Sequence, residues 1–159
     1  MNRSRSERGA SLIELMIVLC IISILVRVSL PAYSSVQRNA KASQALGDFN
    51  VVRAAAFAQY EATGNFPADG TVGMLPAGMR PFLPKGFSFH RRDYDLDWEA
   101  WSVTDSASNV TGSLVAVAVL IPDEKLGLTV LRMLGANCTH WSAGTSHTFV
   151  VQNTLESPH

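Results

Sequence analysis

Cysteine is nearly absent from this chain, which has only Cys20 and Cys138. Cys20 falls inside the longest apolar run and Cys138 far downstream. A membrane segment and a soluble domain would keep the two apart, so no intramolecular disulfide is expected. Charge is scarce as well: charged residues make up 16% of the chain, and 13 Lys and Arg balance 13 Asp and Glu. A net charge of zero gives no electrostatic reason to bind nucleic acid. No glycine-rich phosphate loop and no local nucleophile motif occurs, and the Ser and His residues are scattered. The expectation is therefore no catalytic residue, no cofactor and no resident metal.

What the chain has in excess is apolar sequence near its start. Ala10 to Leu30 is 21 residues, about 31 Å of helix at the usual rise, close to the hydrocarbon thickness of a bilayer. The preceding Met1–Gly9 carries Arg3, Arg5 and Arg8 against Glu7. By the positive-inside rule the N-terminus stays cytoplasmic and the remainder crosses outward. A cleaved secretory signal is the rival reading, with Ser29-Leu30-Pro31-Ala32 as a weak cleavage site, but the apolar run is too long for it. A plain signal anchor has no use for Glu14, because a carboxylate inside an apolar span is costly, nor for Gly9 at the boundary.

The segment Gly9-Ala10-Ser11-Leu12-Ile13-Glu14-Leu15-Met16-Ile17-Val18, followed by Pro31-Ala32-Tyr33, resembles the processing and methylation segment of type IV prepilins and type II secretion pseudopilins. The match covers about residues 8–33. The resemblance implies cleavage between Gly9 and Ala10 by a prepilin peptidase, then N-methylation of the Ala10 amine. Many family members have phenylalanine where this chain has Ala10. The resemblance also implies that Glu14 receives the Ala10 amine of a neighbouring subunit and so sets axial register. An ionised carboxylate among packed apolar helices costs several kcal/mol without such a partner. The alternative is a carboxylate lying near the headgroups. Arg27 lies about 20 Å beyond Glu14 along a helix, out of reach. It reads as a cation snorkelling to the outer headgroups, or else as a partner for a neighbouring subunit. Pro31 removes one helical hydrogen bond and predicts a bend.

Downstream, Val36, Ala40, Leu46, Phe49, Val52, Ala56 and Tyr60 fall mostly at helical spacing, ending at Thr63 with Gly64 as C-cap and Pro67 beyond. Residues 64–87 read as a Gly- and Pro-rich loop pinned by Leu75, Met79, Phe82 and Leu83. Strand patterns occupy Phe87–His90, Tyr94–Val103, Ser113–Ile121 and Thr148–Asn153, with a turn over Asp105–Gly112. Asp123 reads as the N-cap of a short helix closing at Gly135. The expected fold is α+β: a leader over 1–9, a transmembrane or filament-core helix over 10–30, and a pilin-like head over 31–159. That head would pack the second half of the long helix on a small antiparallel sheet.

The remaining clusters read as structural. Asp93, Asp95, Asp97 and Glu99 alternate as the solvent face of an edge strand, although oxygen ligands also suit calcium. Cys138, His140 and His147 fit no zinc spacing. Asn109-Val110-Thr111 and Asn137-Cys138-Thr139 are chance sequons in a chain whose processing motif looks bacterial. The expectation is thus a structural subunit, processed by prepilin peptidase and assembled with other pilin or pseudopilin subunits at an inner-membrane assembly platform. Tyr60-Glu61-Ala62-Thr63-Gly64-Asn65-Phe66-Pro67 resembles the segment after the long helix in many pseudopilins, which leans toward type II secretion over a surface pilin for adhesion, motility or DNA uptake. A membrane-tethered hydrolase is the alternative from another class. A pocket with a converged nucleophile and base would mark it.

Overall fold

The computed structural model describes residues 11–104, 110–135 and 138–153. Gly9, Ala10, Asn109, Asn137 and most of the expected turn after Val103 lie outside the described residues. The chain divides into two compact units, Met1–Gln37 and Arg38–His159. The architecture is α+β: a long N-terminal helix and one antiparallel four-stranded sheet.

The helix α1 runs Leu12–Thr63, with Pro31 inside it. In the first unit its residues are exposed on every side through Tyr33. Local hydrogen bonds are satisfied there: the Ser23 hydroxyl donates to the Leu19 carbonyl and the Ser29 hydroxyl to the Leu25 carbonyl. Such back-bonding lets serines enter an apolar helix without an orphaned donor.

In the second unit α1 buries Ala42, Ala45, Asp48, Phe49, Val52, Ala55, Ala56 and Gln59. Steps of three and four residues place these on one stripe. The predicted stripe was only partly right. Phe49, Val52 and Ala56 are buried, but Val36, Ala40 and Tyr60 are exposed and the unassigned alanines carry much of the contact. Small side chains let the helix approach the sheet closely, so that Phe49 meets Phe149 edge-on at 5.9 Å. The helix ends as expected. The Gly64 N–H donates to the Tyr60 carbonyl, and Gly64 takes the left-handed conformation that suits glycine.

The sheet contains β1 (Asp95–Thr104), β2 (Val110–Leu120), β3 (His140–Ala143) and β4 (Ser146–Asn153), in the order β1-β2-β4-β3. Apolar β2 is interior, as its unbroken hydrophobic run predicts. Trp98 pairs with Val117, which pairs with Phe149. Leu96, Trp98, Val115, Val117, Val119 and Phe149 form the core with the α1 stripe. The short helix α2 (Glu124–Leu134) begins where predicted: the Asp123 carboxylate accepts from the Lys125 and Leu126 N–H groups. Gly135 closes it in a right-handed conformation, so glycine is not needed there for a positive φ. A Cβ on Gly135 would stand 2.8 Å from the His140 ring, and that crowding explains the residue.

Three expectations need correction. Phe87–His90 is not a strand; only His90 bridges to Asp95, while Gly86, at φ 80°, turns the chain just before it. The segment 64–87 is not wholly irregular, since Arg80–Phe82 forms a 3-10 turn beside fully buried Met79. Strand β3 was not expected. It is four residues long and all exposed, too short to show alternation.

The acidic ladder is the fourth correction. Asp93 pairs with Lys41 at 2.6 Å, and Asp95 with His90 at 2.6 Å. Asp97 and Glu99 are only half exposed and are not a solvated face. The segment 67–73 lies along the outer edge of β1 and comes close to Asp97. The Gly70 N–H donates to the Trp98 carbonyl at 2.9 Å, and the Gly73 N–H to the Leu96 carbonyl at 2.8 Å. The Asp69 carboxylate accepts the Ala100 N–H, and the Trp98 indole N–H donates to the Pro67 carbonyl. A bare strand edge invites pairing with other chains, and this segment closes it.

Candidate functional site

The first helical turn of α1 holds Glu14. The Leu15 N–H donates to the Ser11 carbonyl at 3.2 Å, so helix geometry is established across the residue. Beyond it the side chains of Leu15, Met16, Ile17, Val18, Leu19, Ile21, Ile22 and onward to Leu30 stand in solvent, about half or more exposed. An 18-residue window of this helix is 0% buried, and the helix is long and apolar enough to cross a membrane. Soluble proteins rarely expose a contiguous apolar surface of this extent. It therefore requires cover from a bilayer, from other helices, or from both in turn.

Within that surface Glu14 and Arg27 are the charged side chains. Neither has an ion-pair or hydrogen-bond partner among the described residues. A carboxylate placed in apolar surroundings must find a cation or hydrogen-bond donors there. The described residues offer Glu14 none.

The head contains three polar constellations. In the first, the Asp48 carboxylate receives the Arg91 Nε–H at 2.8 Å, the Arg91 Nη2–H at 3.0 Å and the Tyr94 hydroxyl at 2.7 Å. Asp48 is 9% exposed, and this pairing is what makes its burial tolerable. Its hydrogen bond holds the Arg91 guanidinium above its ordinary value despite partial burial. Tyr94 is pushed up first by burial and then by Asp48. These three groups join α1 to the start of β1.

In the second, the Ser142 hydroxyl lies 2.9 Å from His147 Nδ1. The two residues face each other across β3 and β4. They line a cleft of about 420 Å³ with Glu124, Leu128 and Leu131. Sequence reading missed this pair, although a two-residue Gly144-Thr145 turn would have set Ser142 opposite His147. It meets the first requirement of the hydrolase alternative and fails the next. Nothing orients the base, because His147 has no carboxylate hydrogen-bond partner among the described residues. Its Nε2 instead lies against α2, where a Cβ on Gly127 would be 2.6 Å away. Burial, then His140, lowers the His147 pKa. A triad places its carboxylate on that second nitrogen; here backbone occupies the place.

In the third, Cys138 donates to the Leu134 carbonyl while His140 Nδ1 faces the Cys138 carbonyl. Burial pushes the Cys138 thiol up, which lowers its reactivity. Both cysteines are free. No group of three or more metal-ligating side chains converges among the described residues. The expected site residues Glu14 and Pro31 thus sit on the exposed part of α1. Comparison with models of protein families, with curated proteins and with solved structures finds no match to this chain.

Proposed function

We propose that this chain is a structural subunit of a filament assembled from the bacterial inner membrane, either a type II secretion pseudopilus or a type IV pilus. In this reading a prepilin peptidase removes residues 1–9 between Gly9 and Ala10, the new Ala10 amine is methylated, and the helix enters the filament through an inner-membrane assembly platform. The N-terminus begins cytoplasmic and the head periplasmic or extracellular. The observation that carries the reading is an exposed apolar first part of α1 with a carboxylate in its first turn that has no partner among the described residues. Its sequence setting, after a basic leader and a glycine, is what the prepilin segment looks like. The pilin-like description of the head rests on the α1 stripe packed against a small antiparallel sheet.

Glu14 has a definite task in this account. In the bilayer before assembly it lies near the headgroups. In the filament it accepts the Ala10 amine of a neighbour, and the pair sets the register of the incoming subunit. The direct test is Glu14→Ala in the native host. Cleavage should proceed normally, while sheared filament or pseudopilus yield falls by about tenfold or more, as expected for an uncompensated buried charge left on the partner. Normal yield would overturn the assignment.

A further inference from the structure

Two carboxyl oxygens in the head are buried without a partner among the described residues: Asp97 Oδ1 and Glu99 Oε2. Both belong to β1, beside the segment 67–73 that closes its outer edge. The segment approaches the strand closely at Gly70. A Cβ on Gly70 would stand 3.2 Å from the Trp98 carbonyl and 3.5 Å from Asp97 Oδ1, so glycine lets the segment lie against the strand. The groups facing these carboxyls are few. Asp69 approaches from the segment, and Thr148 on β4 hydrogen-bonds Glu99. On β2 the residues opposite are Ala118 and Ala116. No basic side chain pairs with either carboxyl among the described residues.

We propose that residues 67–73 form a proton-sensitive clasp on the β1 edge, closed while Asp97 and Glu99 are protonated and loosened when both ionise. Burial raises both pKa values most, Asp69 raises both further, and Asp97 raises that of Glu99; the Trp98 backbone at Asp97 and Thr148 at Glu99 oppose this without reversing it. The closed clasp therefore binds protons more tightly than the open one. Closure is at full strength below the ordinary carboxylate range and weakens as pH rises through the raised values. Once ionised, two carboxylates face Asp69 with no cation between them among the described residues, and beyond the Trp98 backbone and Thr148 only water can supply hydrogen bonds. Opening relieves this and exposes the backbone of Leu96, Trp98 and Ala100 to pairing with another strand.

The test is amide hydrogen exchange on the full chain in detergent micelles, from about pH 4 to about pH 8. Protection factors at Gly70, Gly73 and Ala100 are read against Val117 and Val119 in the interior strand. The wild type should lose about tenfold in relative protection across the range, the size of one pKa unit of linkage. Asp97→Asn with Glu99→Gln should remove the loss. Asp69→Asn keeps an acceptor for the Ala100 N–H and should shrink it. Constant protection in the wild type, or the same loss in the double variant, overturns the proposal. Should the double variant not fold, carbon-detected titration of the wild-type carboxyls decides. Ionisation in step with lost protection is expected; ionisation with Gly70 and Gly73 unmoved refutes the clasp.

Discussion

The two halves of α1 use apolar residues in opposite ways. From Leu12 to Leu30 nearly every position is apolar and every position is exposed. From Ala42 to Gln59 only one stripe is buried, and half of it is alanine. A helix apolar all round has no preferred face and suits a surrounding medium. A helix with a narrow small-residue stripe suits one fixed neighbour, here the sheet. The polar groups follow the same division. Asp48 is buried and fully paired with Arg91 and Tyr94, so its needs are met inside the chain. Glu14 is exposed and has no partner among the described residues. The comparison separates a part that completes itself from a part that does not.

The sharpest way to break this comparison is a matched pair of truncations. Trp98 is fully buried, and Trp98→Ala should cost about 3–5 kcal/mol of head stability. Leu19→Ala removes an equally apolar side chain from the exposed helix, and should leave the melting temperature of the head within error. Thermal unfolding followed by tyrosine and tryptophan fluorescence reads both. A large loss of head stability from Leu19→Ala would mean that the two regions are not independent.

Much of that contrast was legible in the sequence. An unbroken apolar run has one reading whatever lies beyond it, and the Asp123 cap, the Gly64 stop and the interior β2 run are local signals that tertiary contacts did not override. What stayed hidden depended on partners distant in sequence. Asp48 reads as a surface residue because Arg91 and Tyr94 lie more than 40 positions away. The ladder at Asp97 and Glu99 reads as solvated because alternation reports a face and not what covers an edge. Strand β3 is exposed throughout, so it has no periodicity to read. At the candidate site, Glu14 was evident from the cost of its charge, while the Ser142–His147 pair required the hairpin register.

A smaller effect sharpens the account of the head. His147 is held neutral by burial, so the folded head binds protons less readily than the unfolded chain. Its contribution is fully present above the ordinary histidine value of about 6.5 and is lost as pH falls through the lowered folded value. Its share of head stability should therefore fall on mild acidification, opposite in sign to that of Asp97 and Glu99, and His147→Gln should remove that share from the pH dependence of the melting temperature. An unchanged slope would assign the acid sensitivity to other groups.

The central claim is that the N-terminal segment is processed and then completed by a neighbour. Intact-mass and N-terminal peptide analysis of the protein recovered from bacterial membranes or sheared filaments tests it most directly. The account predicts a chain beginning at N-methylated Ala10. A chain that retains Met1 or Asn2, or one beginning near Ala32 after signal-peptide removal, would contradict it.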